Sequence, residues 1–168
     1  MNVVADATVL VALSRIGQLK ILAALFDVVL IPPAVDAEVR GESDGRPGAD
    51  ELVSATWIET RERPDDALFV DIPAALGDGE REAIALAIGT RLPLITDDRD
   101  AAQAANNLSV AVLHTLALLV TAEESGVIPD ARAVLTALVA DGFRVHKSVI
   151  ARFNEVLAAS RAARTQPA

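Results

Sequence analysis

Short runs of Val, Ile and Leu alternate along this chain with longer Ala- and Leu-rich stretches of helical period. That alternation restricts the fold more than any other feature, because strands separated by helices cannot pair as simple hairpins. Asn2-Val3-Val4-Ala5 reads as a buried strand, followed by two helices joined near Gly17 and ending around Phe26. Val28–Ile31 is a second strand, stopped by Pro32-Pro33. Proline is tolerated at a first helical position, so a helix is expected from there to Arg40.

Residues 41–46 read as a loop, 47–56 as helix, Trp57–Thr60 as a short edge strand, and 61–75 as irregular. Gly77–Thr90 is a strong helix, Leu92–Thr96 a strand, Asp98–Asn107 a helix and Val110–Leu113 a strand. Three further helices are expected near 115–125, 130–141 and 147–161, with Gly126 and Gly142 as stops. No internal repeat or linker interrupts the pattern. The expected architecture is α/β: one domain over residues 1–160 with a mostly parallel sheet covered on both faces, and a frayed tail over 161–168.

Composition narrows the chemistry. The 168 residues are long enough to bury a core without cross-links, and no cysteine is present, which excludes disulfides, thiolate zinc sites and cysteine nucleophiles. Aromatics are 3% of a chain that is 52% hydrophobic, so the core must be aliphatic. The net charge of −9, with Lys20, Lys147 and thirteen arginines, argues against a module that holds nucleic acid by charge alone. It argues less against a nuclease, whose cations reverse the local field. Asp6 interrupts the first apolar run and no basic region precedes it, so no signal peptide is expected. Val110–Val120 falls well short of the roughly 20 residues that span a bilayer. The expected location is the cytoplasm.

Ligands in open α/β sheets sit at the carboxyl ends of the strands, and acids gather there. Asp6 directly follows the first strand, and Asp97 and Asp98 directly follow Leu92–Thr96. On the helices, Glu38 falls on or beside the inward stripe of Val35 and Val39, and Glu80 heads the apolar face of Ile84 and Ile88. Glu82 points further round. Each acid taken alone has an ordinary structural use: Asp97 or Asp98 as a helix cap, Asp78 and Glu80 as charges suited to a first turn. Together they would repel one another with no lysine nearby in sequence, and a hard divalent cation is the simplest relief. Mg²⁺ or Mn²⁺ suits such oxygen ligands better than Zn²⁺. A cation there could activate water and offset charge on a phosphodiester, so hydrolytic phosphodiester cleavage is a reasonable use.

The sequence from Val3 to Thr8, then Ile31-Pro-Pro-Ala-Val-Asp-Ala-Glu38-Val, then Leu76-Gly-Asp-Gly-Glu80 and its Ala-rich helix, then Leu94-Ile-Thr96-Asp97-Asp98-Arg-Asp100, resembles the PIN-domain family. It is most similar to a short prokaryotic branch related to VapC toxins, over nearly the whole chain to about Arg144. The resemblance implies a three-layer α/β/α sandwich and acids collected around Mg²⁺ or Mn²⁺. It implies catalytic Asp6, Glu38, Glu80 and Asp98, with metal ligands among Asp6, Glu80, Asp97 and Asp98 and Asp100 a weaker option. It implies supporting hydroxyls at Thr8 and Thr96. Many relatives place Asp where this chain has Glu80, which lengthens one ligand by a methylene. A metal-dependent ribonuclease, a toxin role, a small antitoxin reaching the acidic pocket with an arginine, and a homodimer are likewise implications of the resemblance.

Other acid-bearing α/β enzymes fit less well. A phospho-acceptor receiver needs a lysine at a strand end, and neither Lys20 nor Lys147 lies at one. A dehalogenase-type phosphatase needs Asp-x-Asp where this chain has Asp6-Ala7-Thr8, and the P-loop motif is absent. Ser14 has no histidine motif to activate it, and His114 and His146 read as structural or exposed. The alternative of another class is a PIN scaffold that binds a protein partner with negligible turnover. Arg15, Arg46 and Arg99 are the candidate RNA contacts.

Overall fold

Val3, Val4 and Ala5 form strand β1 (Val3–Ala5), buried on both faces and hydrogen-bonded on both edges. The computed structural model describes residues 1–41, 45, 47–62, 69 and 71–165, and β1 is the centre of the sheet they form. On one side lie β2 (Val29–Ile31) and β3 (Ile58–Thr60), and on the other β4 (Leu94–Ile95) and β5 (Val112–Leu113). The spatial order is β3-β2-β1-β4-β5, with Val4 opposite both Leu30 and Leu94, and every pairing is parallel.

The helices are α1 (Ala7–Arg15), α2 (Lys20–Leu25), α3 (Pro33–Gly41), α4 (Ala49–Ser54), α5 (Asp78–Thr90), α6 (Arg99–Asn107), α7 (Thr115–Glu124), α8 (Ala131–Ala140) and α9 (Lys147–Thr165). Successive strand residues point to opposite faces, and the core divides accordingly. Val3, Ala5, Val29, Ile31 and Ile95 pack with α1, α2 and α7–α9, while Val4, Leu30 and Leu94 pack with α5 and α6. The result is a three-layer α/β/α sandwich. Fully buried aliphatics such as Leu10, Leu13, Ile84 and Leu119 fill both layers. Truncating any one to Ala would cost about 2–5 kcal/mol.

The strands β4 and β5 are shorter than their apolar runs. Arg91 and Ser109 take left-handed backbone at the ends of α5 and α6. Leu92 N–H then donates to the Ala87 carbonyl and Val110 N–H to that of Ala105, so both residues finish a helix rather than begin a strand. Gly48 permits a close approach: it has φ +79°, and a Cβ there would lie 2.1 Å from the Ser14 carbonyl oxygen, which seats α4 against α1.

The chain end also differs from expectation. Residues from Arg161 were expected to fray, yet α9 runs to Thr165. Arg161 makes two 2.7 Å bonds to the carboxylate of Glu123 on α7, and Arg164 adds one of 2.8 Å. A buried acid thus holds the last turn. Arg46, and residues 63–68 and 70 of the expected irregular stretch, lie outside the described residues. Among the described residues no helix is long and apolar enough to cross a membrane.

Candidate active site

The chain runs outward from β1 through β2 to β3, then returns to the other side of β1 for β4 and β5. The crossovers from β1 and β4 therefore leave in opposite directions and open a crevice beyond the carboxyl ends of those two strands. Asp6 follows β1, and Thr96-Asp97-Asp98 follow β4, so both groups of acids border this crevice.

The crevice has two lobes. One, of about 440 Å³, is bordered by Thr8, Glu38, Glu80, Asp97 and Asp98 on its acidic side. Its other wall is formed by Arg15 and by Asp141–Arg144 of the α8–α9 connection. The second, of about 360 Å³, is lined by Asp6 and Asp78 and shares Thr8, Glu38 and Glu80 with the first. Asp100 sits exposed in the first turn of α6 and lines neither. Arg99 likewise lines neither.

Asp6 caps α1 by accepting the Val9 amide at 3.1 Å, yet it is only 4% exposed. Burial pushes its carboxyl up to about 6, opposed by hydrogen bonds from the Thr96 hydroxyl and the Val9 amide, while the charges of Asp97 and Glu80 raise it further. Thr96 is buried, and its hydroxyl also accepts the Asp98 amide at 3.2 Å, which ties the β1 and β4 acids together. The hydroxyl touching Asp6 is thus that of Thr96, whereas Thr8 is exposed on the cleft wall.

Asp97 accepts the Thr115 amide at the start of α7 through Oδ1, 3.0 Å away. Its Oδ2 is buried with no hydrogen-bond partner among the described residues. Burial raises the Asp97 carboxyl, opposed first by the nearby Thr115 hydroxyl and then by the Thr115 amide and the His114 imidazole. His114 Nδ1 lies 2.8 Å from the Thr96 carbonyl oxygen, which can only accept, so Nδ1 carries the hydrogen. His114 follows β5 just as Asp6 follows β1; strand-end position was the signal that could have marked it as a neighbour of Thr96 and Asp97, which follow β4.

The remaining acids are engaged locally. Asp98 caps α6 through the Asp100 and Ala101 amides, both at 2.8 Å. Glu80 turns back to accept the Gly77 amide at 2.9 Å. This is the glutamate half of a capping box, since Gly77 has no side chain to return the bond. Glu38 rests its carboxylate against Gly79: a Cβ there would stand 3.3 Å from Glu38 Oε2. Glu38 therefore lies over the first turn of α5, where the helix dipole favours negative charge. Glu82, set aside on helical phase, accepts the Ala34 amide at 2.9 Å and pins the start of α3.

All the expected acids border one crevice except Asp100, but among the described residues no three stand close enough to share a cation as placed. The donor set still fits a hard divalent ion: every candidate ligand is a carboxylate oxygen, one of them the unpartnered Oδ2 of Asp97. Arg15 is the expected cation that the fold does bring here, and it is held by Asp141 through contacts of 2.7 and 3.3 Å.

A parallel sheet of this order with acids at its switch point is a doubly wound α/β fold with a carboxylate-lined crevice. The family comparison agrees: residues 2–158 match the model of DUF3368, a PIN domain, and the chain belongs to that family. PIN domains are generally nucleases that use divalent metals. A solved PilT N-terminus domain protein from the hyperthermophilic archaeon Sulfolobus solfataricus P2 is 17% identical, over 87% of this chain and 98% of its own, with a TM-score of 0.49. No curated protein matches the sequence.

Proposed function

We propose that this PIN-domain protein is a divalent-metal-dependent endoribonuclease that hydrolyses RNA phosphodiester bonds in the acidic crevice. One observation carries the reading. Asp6 is buried and Asp97 largely so, both are raised by burial, and neither bonds an arginine or lysine among the described residues. Buried carboxylates used only for structure are ordinarily compensated.

On this reading Asp6, Glu80, Asp97 and Asp98 hold Mg²⁺ or Mn²⁺, and Glu38 completes the catalytic acids. The bound cation supplies charge against the phosphodiester and lowers the pKa of water. Thr96 fixes the Asp6 carboxylate while leaving it able to ionise near pH 6. Glu80, which accepts the Gly77 amide at the head of α5, would be one of the residues to hold the cation. Thr8 stands on the wall to hydrogen-bond substrate.

We further assign the chain to the VapC-like branch, as a homodimeric toxin whose antitoxin enters the crevice with an arginine. The net charge of −9 and the acidic lining support an arginine-bearing ligand. A second reading, a scaffold with negligible turnover, draws on the capping bonds that occupy Glu80 and Asp98. Cleavage of a mixed pool of single-stranded RNAs, in Mn²⁺ or chelator, separates the two readings when wild type is compared with Asp6→Asn. Cleavage that needs both metal and Asp6 supports the nuclease; none in any lane favours the scaffold.

A further inference from the structure

Part of the wall facing the acids is cationic. Residues 142–154 contain Arg144, Lys147 and Arg152 and not one acid, in a protein with 24 acids to 15 bases. This segment starts at the cleft, where Arg144 and Arg15 are the two lining cations. Arg15 is neutralised by Asp141 and Arg152 by Glu155. Arg144 and Lys147 are exposed, and neither makes a hydrogen bond or ion pair among the described residues. Lys147 also opens α9, a 19-residue helix whose first turn has no acid, so the positive end of its dipole adds to the same place.

A polyanion approaching the carboxylates is repelled by most of this surface, and the side where the unneutralised Arg144 borders the crevice, with Lys147 three residues further on, is its favourable entry. We propose that the α8–α9 connection is the RNA-binding rim of the crevice, with Arg144 contacting the phosphate nearest the acids and Lys147 one further along the strand. The assignment rests on the ribonuclease reading for its ligand, but it concerns binding and is testable apart from turnover.

The probe is a fluorescein-labelled random single-stranded RNA 20-mer, bound with Ca²⁺ present and followed by anisotropy over a salt series. Arg144→Ala/Lys147→Ala is compared with wild type and with Arg91→Ala. Arg91 is an exposed cation just before β4, at the opposite end of the sheet. The double variant should bind roughly tenfold more weakly, and its salt dependence should flatten by about 1.4 in log–log slope, two single-strand phosphate contacts at about 0.7 each. Arg91→Ala should match wild type, and all three should melt alike. Equal losses in the double variant and Arg91→Ala, or no loss in either, overturn the rim. So does an absence of RNA binding by wild type, which removes the ribonuclease reading as well. Selective loss of binding by the double variant in a protein that never cleaves RNA upholds the rim while sinking the nuclease. Cleavage with unaltered binding does the reverse.

Discussion

Asp6 and Glu123 are carboxylates of similar burial, 4% and 8% exposed, and each accepts a backbone amide at a helix start. Their surroundings are opposite. Glu123 meets Arg161 and Arg164, and Arg161 above all lowers its carboxyl to about 2. Asp6 meets a threonine and two further acids, and burial raises it to about 6. One buried charge is neutralised by the fold and fastens α9 to α7; the other is left uncompensated beside a crevice. Burial alone therefore says little about a carboxylate's role, and the compensating partner says much more.

The contrast breaks most visibly in activity. Asp6→Asn should reduce RNA cleavage at least about 100-fold, the upper end of what even an outer contact at a metal site is worth. In chelator it should melt no lower than wild type, because the amide keeps the shape without the buried charge. A mutant that cleaves normally would mean that Asp6 is a structural acid like Glu123.

Mg²⁺ or Mn²⁺ comes next. At 100 times its Kd a cation bound only by the folded state stabilises it by about 2.7 kcal/mol, or roughly 5–10 °C in Tm for a chain of this size. Asp6→Asn and Asp97→Asn should each shrink that shift, whereas Glu123→Gln should leave it intact. Identical shifts in all three would remove both aspartates from the metal site.

Glu123→Gln should in turn cost about 2 kcal/mol, less than the 3–5 kcal/mol for breaking a fully desolvated pair, because both arginines keep more than a third of their side chains in water. Urea unfolding measures it, and cleavage by the folded variant should stay within about twofold of wild type. Deleting residues 161–168 should destabilise in the same direction. No change on deletion would return the tail to the frayed state expected from sequence.

The last effect is in pH, with opposite signs at the two sites. Asp6 is raised from 3.8 to about 6, so the folded chain binds the extra proton between those values. Its contribution to stability therefore falls as pH rises through that window in metal-free protein. Glu123 is lowered from 4.5 to about 2, so its contribution is present above about 4.5 and fades as pH falls towards 2. Urea midpoints in chelator from pH 3 to 8 should show the first slope vanish in Asp6→Asn and the second in Glu123→Gln.

Much of this was legible in the residues because it depends on local patterns. The fully buried Val3-Val4-Ala5 and Val29-Leu30-Ile31 run without polar interruption, as strands of a doubly covered parallel sheet must. The acids at Asp6, Asp97 and Asp98 follow strand ends, and strand ends are local. Helix terminations were less legible: whether Leu92 or Val110 starts a strand turns on one left-handed residue before it, which neither Arg91 nor Ser109 advertises.

By itself, then, the sequence determined the strand–helix alternation, the aliphatic core and which acids could meet at one sheet end. Only the tertiary structure decided which acids stay uncompensated, because that depends on partners far away in the chain. Thr96 reaches Asp6 across a strand pair, Arg161 reaches Glu123 over 38 residues, and the cationic α8–α9 connection comes to face the crevice only when α8 and α9 pack on α7. The physical reason is that a charge takes its meaning from its three-dimensional neighbours, and spacing along the chain does not encode them.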